Sequence, residues 1–180
     1  MFMTRLMVSL FEFALSVVMS GLLIFVTFKV FIKANPDFNM EAEIKKGNVA
    51  VGILVTAILF SASMILKEGL ASVVSMVRMH LSMPTERVLS LAQLIALSAA
   101  HLVMAMFMAL FTISVTLRLF GKLERPGMRP GKELENGNVA VGILLAGVVL
   151  VASLYVGAGV SAVSKALVPQ PSIGQVQVME

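Results

Sequence analysis

The sequence has no cysteine among its 180 residues. That removes disulfides, thiolate metal sites and thiol nucleophiles, and it leaves the redox compartment unspecified. Charge is scarce: 13% of residues are Asp, Glu, Lys or Arg, against about 25% in ordinary soluble domains. Catalytic signatures are missing too. There is no P-loop, no G-x-S-x-G and no pair of acids spaced for acid–base work. His80 and His101 lie in no H-x-x-x-H metal pattern. The sequence therefore predicts a protein that is not an enzyme and takes no metal and no cofactor.

What is present is apolar. Hydrophobic residues make up 58% of the chain and the mean hydropathy is +0.96. They come in blocks. Leu6 to Phe28 is interrupted only by Glu12, Gly47 to Leu66 carries no charge, Val88 to Leu117 carries only His101, and Asn138 to Ser164 carries none. A helix needs about 20 apolar residues to cross a ~30 Å hydrocarbon layer. Four segments meet that length, and each must be helical because lipid offers its backbone no partner. The first block exceeds the about 7–15 residues of a signal-peptide core and lacks a small-x-small cleavage site, so it reads as a retained span.

The chain also repeats itself. Asn48 to Leu54 lies within "GNVAVGIL", and the same eight residues recur at Gly137 to Leu144, ninety positions on. Glu43 matches Glu133 at that offset. Upstream, "VTFKVFIK" from Val26 matches "VTLRLFGK" from Val115, and Glu12 then aligns with His101. Each unit is a helix, a charged loop and a second helix. A unit of two spans returns to its starting side, so the two run parallel about a pseudo-twofold axis along the membrane normal.

The predicted fold is an all-α membrane protein of four transmembrane helices, built as two parallel tandem helix-hairpin repeats. The first repeat covers 1–67, with spans at about 6–33 and 47–67. An amphipathic connecting hairpin follows over 68–87. The second repeat covers 88–165, with spans at about 95–120 and 137–164, and an extended tail covers 166–180. In the connection, Leu70, Val73, Val74, Val77 and Leu81 fall on one helical stripe, and Thr85 is placed to cap a new helix after Pro84. Two arrangements are open there. The second and third helices project from the bilayer, or the segment lies along its surface.

Orientation follows from Lys and Arg. The side holding the first and third loops carries Lys29, Lys33, Lys45, Lys46, Arg118, Lys122, Arg125, Arg129 and Lys132. The other carries Arg5, Lys67, Arg78, Arg87 and Lys165. The excess puts loops 34–46 and 121–136 in the cytoplasm and both termini outside. A net charge of +4 spread over helix ends is a membrane-orientation pattern and not a nucleic-acid surface.

The repeated junction offers candidate site residues. Asn48 and Asn138 can cap the helices they open. Gly47, Ala50 and Gly52, with Gly137, Ala140 and Gly142, are small enough for close helix contact. Two roles are open to the motif: a packing seam, which this chemistry in lipid favours, or an ion or solute site lined by the asparagines. Glu43 and Glu133 are either interface charges, paired with Lys29, Lys33, Arg118 or Lys122, or a gating site. Glu12 and His101 are either wet interface groups or members of an ion or proton pathway, since ionisable groups in a span often mark function. Met104, Met106 and Met108 alternate around a helix and read as adaptable packing.

The stretches "EIKKGNVAVGIL" and "ELENGNVAVGIL" resemble the hallmark of the YjfL-like family of bacterial inner-membrane proteins. That hallmark is a glutamate, an apolar residue and then N-x-A-x-[AG] opening a membrane helix. Glu43, Ile44, Asn48, Ala50 and Gly52 match it, as do Glu133, Leu134, Asn138, Ala140 and Gly142. The resemblance covers both repeats, but neither the middle connection nor the tail. It implies a four-helix inner-membrane protein linked to membrane organisation or stress, and brings no catalytic residue. The expected function is a non-catalytic, self-associating membrane scaffold whose basic loops meet anionic headgroups, with no nucleic-acid partner and no small-molecule substrate identified. The alternative is a small oligomeric ion or proton channel, or a transporter, built on the repeat.

Overall fold

The long apolar runs close their backbone hydrogen bonds internally, as a segment in hydrocarbon must. The computed structural model describes residues 2–33, 38–82, 90–123 and 129–167. Helix α1 (Phe2–Thr27) ends in a π-helical turn, Phe28–Lys33, which brings Phe31 and Ile32 together on the buried side. A short α2 (Met40–Lys45) leads to α3 (Val49–Ser82). Helix α4 (Leu91–Leu123), a short α5 (Pro130–Glu135) and α6 (Val139–Leu167) repeat the pattern. Four of these helices are long and apolar enough to cross a membrane, and no strand occurs among the described residues.

Helix α3 is the centre of the bundle. It packs against α6 most extensively, then against α4 and α1. Leu54, Ile58 and Ile65 of α3 are fully buried, alongside Ile113 of α4 and Val149 of α6. Outward-facing residues are large and apolar: Phe13, Val18, Val103, Phe107 and Tyr155 are all exposed. A soluble surface does not carry a belt of that kind; a lipid-facing one does.

Of the two arrangements open to the connection between the repeats, the structure has the one in which the second and third helices are prolonged. Residues 68–82 continue α3 without a break, giving a helix of 34 residues, about 51 Å long. Helices α3 and α4 therefore overrun a ~30 Å hydrocarbon layer. The stripe that reads as interfacial is partly consumed inside the bundle. Val73 and Met76 are buried with Leu94 of α4, with Leu15 of α1 against them. Gly69 allows this crossing, since a Cβ there would lie 2.5 Å from the Cβ of Ala105. Helix α4 begins at Leu91. Ser90 and Gln93 form a reciprocal capping box, each side chain accepting from the other's backbone N–H. Pro84, Thr85 and residues 168–180 of the tail lie outside the described residues.

The two repeats also depart from an exact twofold. Helix α4 packs against α3, but α1 makes no comparable contact with α6. The asymmetry reappears at the junctions.

Candidate functional site

Each repeat turns from its loop into its second long helix through the same elbow. In the first, Asn39 caps α2 by accepting from the Ala42 N–H at 3.0 Å. Helix α2 closes at Gly47, whose N–H donates to the Ile44 carbonyl, while the Asn48 N–H donates to that of Glu43. This is a Schellman closure, and it needs a residue at positive φ. Gly47 supplies it at +80°, and Gly137 does the same at the end of α5. Nothing lies within 4 Å of where a Cβ would sit on either glycine. Both were expected to admit a neighbouring helix; both serve the turn instead.

The asparagine then does three things at once. Asn48 Oδ1 accepts from the Val51 N–H at 3.2 Å, capping α3. Its amide nitrogen donates back to Glu43 Oε2 at 3.1 Å. It also reaches across to the second repeat, donating to the carbonyls of Leu134 at 2.8 Å and Glu135 at 3.3 Å. Asn138 repeats the local part, with its amide on Glu133 Oε2 at 2.8 Å and its oxygen near the Val141 N–H at 3.4 Å. Among the described residues it makes no bond to the first repeat.

The acids differ for the same reason. Glu43 is buried at 6% exposure and pairs with Lys46 at 2.6 Å. The Lys46 ammonium, helped by the Asn48 amide, holds the Glu43 carboxyl below the usual carboxylate range, and Glu43 in turn raises Lys46. At the equivalent of Lys46 the second repeat has Asn136, and Glu133 has no ion pair among the described residues. The expected partners sit elsewhere. Lys29 lies 4.8 Å over the Phe25 ring and Arg118 is exposed, while the side chains of Lys33 and Lys122 lie outside the described residues.

The small residues divide. A Cβ on Gly142 would lie 2.7 Å from the Ala50 carbonyl oxygen and 2.9 Å from its Cα, so α6 rides directly on α3 there. Ala50 is fully buried. The reciprocal pair is open: Gly52 meets nothing within 4 Å and Ala140 is exposed. Gly52 instead borders an apolar groove of about 580 Å3, lined by α3 and by Ala146 and Leu150 of α6.

Glu12 and His101, equivalent by repeat, occupy opposite surroundings. Glu12 is exposed on α1. His101 is 3% exposed, its Nδ1 lies 2.8 Å from the Leu97 carbonyl, and its Nε2 is buried with no partner. The His101 carbonyl faces Gly69, which is 21 residues along α3 from Asn48, about 31 Å. The four ionisable candidates thus fall into two groups at opposite ends of the bundle. No cluster of His, Cys, Asp or Glu among the described residues could hold a metal ion.

Sequence reasoning missed α2, α5, the Lys46 partner and the link from Asn48 to α5. Asn39 ahead of "MEAEIKKG" is a readable helix with both ends marked. The link between repeats has no sequence signal.

The fold and elbows define a multi-pass helical membrane protein made of two tandem units. The chain belongs to the family described as Domain of Unknown Function (DUF350), whose model matches residues 4–160. No match was found among curated proteins or among solved structures.

Proposed function

We propose that the protein is a non-catalytic, self-associating scaffold of a bacterial inner membrane, with both elbows in the cytoplasm. One observation carries this reading. The polar groups of the first elbow, Glu43 and Asn48, are used up in closing it and tying the units together, and beside it lies an apolar groove. Asn48 has two amide protons and three acceptors around them, so it has no donor to spare for a solute. The Lys and Arg excess on the elbow side and the resemblance to YjfL-like proteins support the placement. Basic residues there would attract anionic headgroups, at roughly 1 kcal/mol per charge near the surface. The test is mass in mild detergent and in nanodiscs: an oligomer is expected in both, and a monomer in both would overturn the proposal.

One observation favours a second reading, an oligomeric ion or proton channel or transporter. His101 Nε2 is buried without a partner, and intramembrane ionisable groups commonly serve conduction. Proteoliposome flux of the wild type against His101→Ala tests it. Flux no greater than that of empty liposomes removes this reading.

A further inference from the structure

The two long second helices have the same sequence pattern but bury different faces. On α3, Ala50, Leu54, Ala57 and Ser61 are all buried. Their counterparts ninety positions on, Ala140, Leu144, Gly147 and Val151 of α6, are all exposed. The reverse holds for the neighbouring stripe. Gly142, Ala146, Val149 and Ser153 of α6 are buried, whereas Gly52, Thr56, Leu59 and Ser63 of α3 are half-buried or exposed. The contact between Ala50 and Gly142 joins the two stripes. The interface between the repeats is therefore heterologous: one surface of the first unit meets a different surface of the second.

A heterologous contact leaves one unused surface of each kind. Here the two leftovers are, by repeat, copies of the pair already in contact. The free stripe of α6 matches the one α3 buries, and the open stripe of α3 at Gly52 and Thr56, which forms the groove together with Ala146 and Leu150 of α6, matches the one that receives Ala50. The elbows agree. Asn48 donates to the carbonyls of α5, while Asn138 spends its amide on Glu133 alone among the described residues.

We propose that a second copy of the chain docks on the groove beside Gly52, repeating between chains the contact made within one. Ala140 of the incoming copy seats against Gly52, and its Asn138 amide reaches the carbonyls of Ile44 and Lys45. The inference rests on the self-association reading and names its interface. All units point the same way across the membrane, so the contact propagates within the bilayer plane into a ring or a row. Small residues on both sides let the helices approach closely, which is how association in lipid is commonly won.

The absence of native cysteine makes the test clean. One tagged chain carries Ala140→Cys and a differently tagged chain carries Gly52→Cys. The two are co-expressed and oxidised in native membranes. Both positions accept a side chain, since Ala140 is exposed and Gly52 faces open space. The expected product is a disulfide-linked pair carrying both tags, with both monomer bands depleted by up to about half under equal random mixing, and no pair when either variant is expressed alone. Gly52→Leu should lower the mass in nanodiscs to that of a monomer while leaving the fold intact. Pairs between identical variants would mean a symmetric interface and overturn the inference. So would an oligomer that neither cross-links nor responds to Gly52→Leu; the scaffold reading would survive that result. A wild-type monomer, with lipid filling the groove, would overturn both.

Discussion

Asn48 donates a 2.8 Å hydrogen bond to the carbonyl of Leu134, and Asn138, its copy, returns none among the described residues. One residue type in one local sequence thus carries a cap in both units and a tie between units in one. Replacing each by alanine should separate the two roles. Asn138→Ala loses a cap, a cost of about 1 kcal/mol. Asn48→Ala also gives up the bond to the Leu134 carbonyl, which keeps its Gly137 N–H donor; one lost hydrogen bond adds roughly 0.5–1.5 kcal/mol. Unfolding of the monomer in mixed micelles should rank Asn48→Ala below Asn138→Ala, and equal values would contradict the asymmetry.

Gly142 and Gly52 should respond oppositely to alanine. A methyl at Gly142 has to push the Ala50 backbone away; overpacking of this kind costs about 1–3 kcal/mol. At Gly52 the same methyl meets open space, and the gain in helix propensity is up to about 1 kcal/mol. Thermal melts in detergent will check the signs, taken on the monomer so that docking does not enter.

Gly47 and Gly137 both stand at φ +80°. Alanine at either position costs about 1–2 kcal/mol in the left-handed region. Asparagine tolerates that region better, so Gly47→Asn should recover part of the loss. A Gly47→Asn no more stable than Gly47→Ala would point away from backbone strain as the cause.

The pairing of Glu43 with Lys46 gives the stability a pH dependence with a fixed sign. Glu43 is held below its ordinary value. Its contribution is complete above the unfolded carboxylate pKa of about 4.3 and is lost as pH falls through the lower folded value. Lys46 is raised, so its contribution is complete below about 10.4 and fades only as pH climbs past the folded value. Unfolding measured from neutral pH into acid should weaken progressively, and Glu43→Gln should flatten that acid limb.

The spans were legible because hydrocarbon imposes a length and forbids open backbone, and the runs ending at Phe28 and beginning at Val88 obey both limits. The elbows were half legible. "KKGN" and "ENGN" signal a turn, but the glycines read equally well as packing residues until their φ is known. The unbroken course of α3 was one of two readings the sequence left open. The stripe from Leu70 to Leu81 has one period whether it meets a membrane surface or α4, and only the Gly69–Ala105 crossing decides between them. Least legible was the difference between the repeats. Identical residues from Gly47 to Leu54 and Gly137 to Leu144 give identical expectations, and the difference arises from which face each helix turns toward its neighbour.

Among the described residues, the backbone and capping hydrogen bonds of the first elbow, apart from those to α5, are made within residues 38–52. During synthesis the first pair of spans can therefore complete its bend while the later half of the polypeptide is still on the ribosome. The bonds from Asn48 to the backbone of α5 must wait for the later half, whose own bend is equally local. Assembly of the bundle thus brings two separately closed bends together, with the Asn48 amide as the latch.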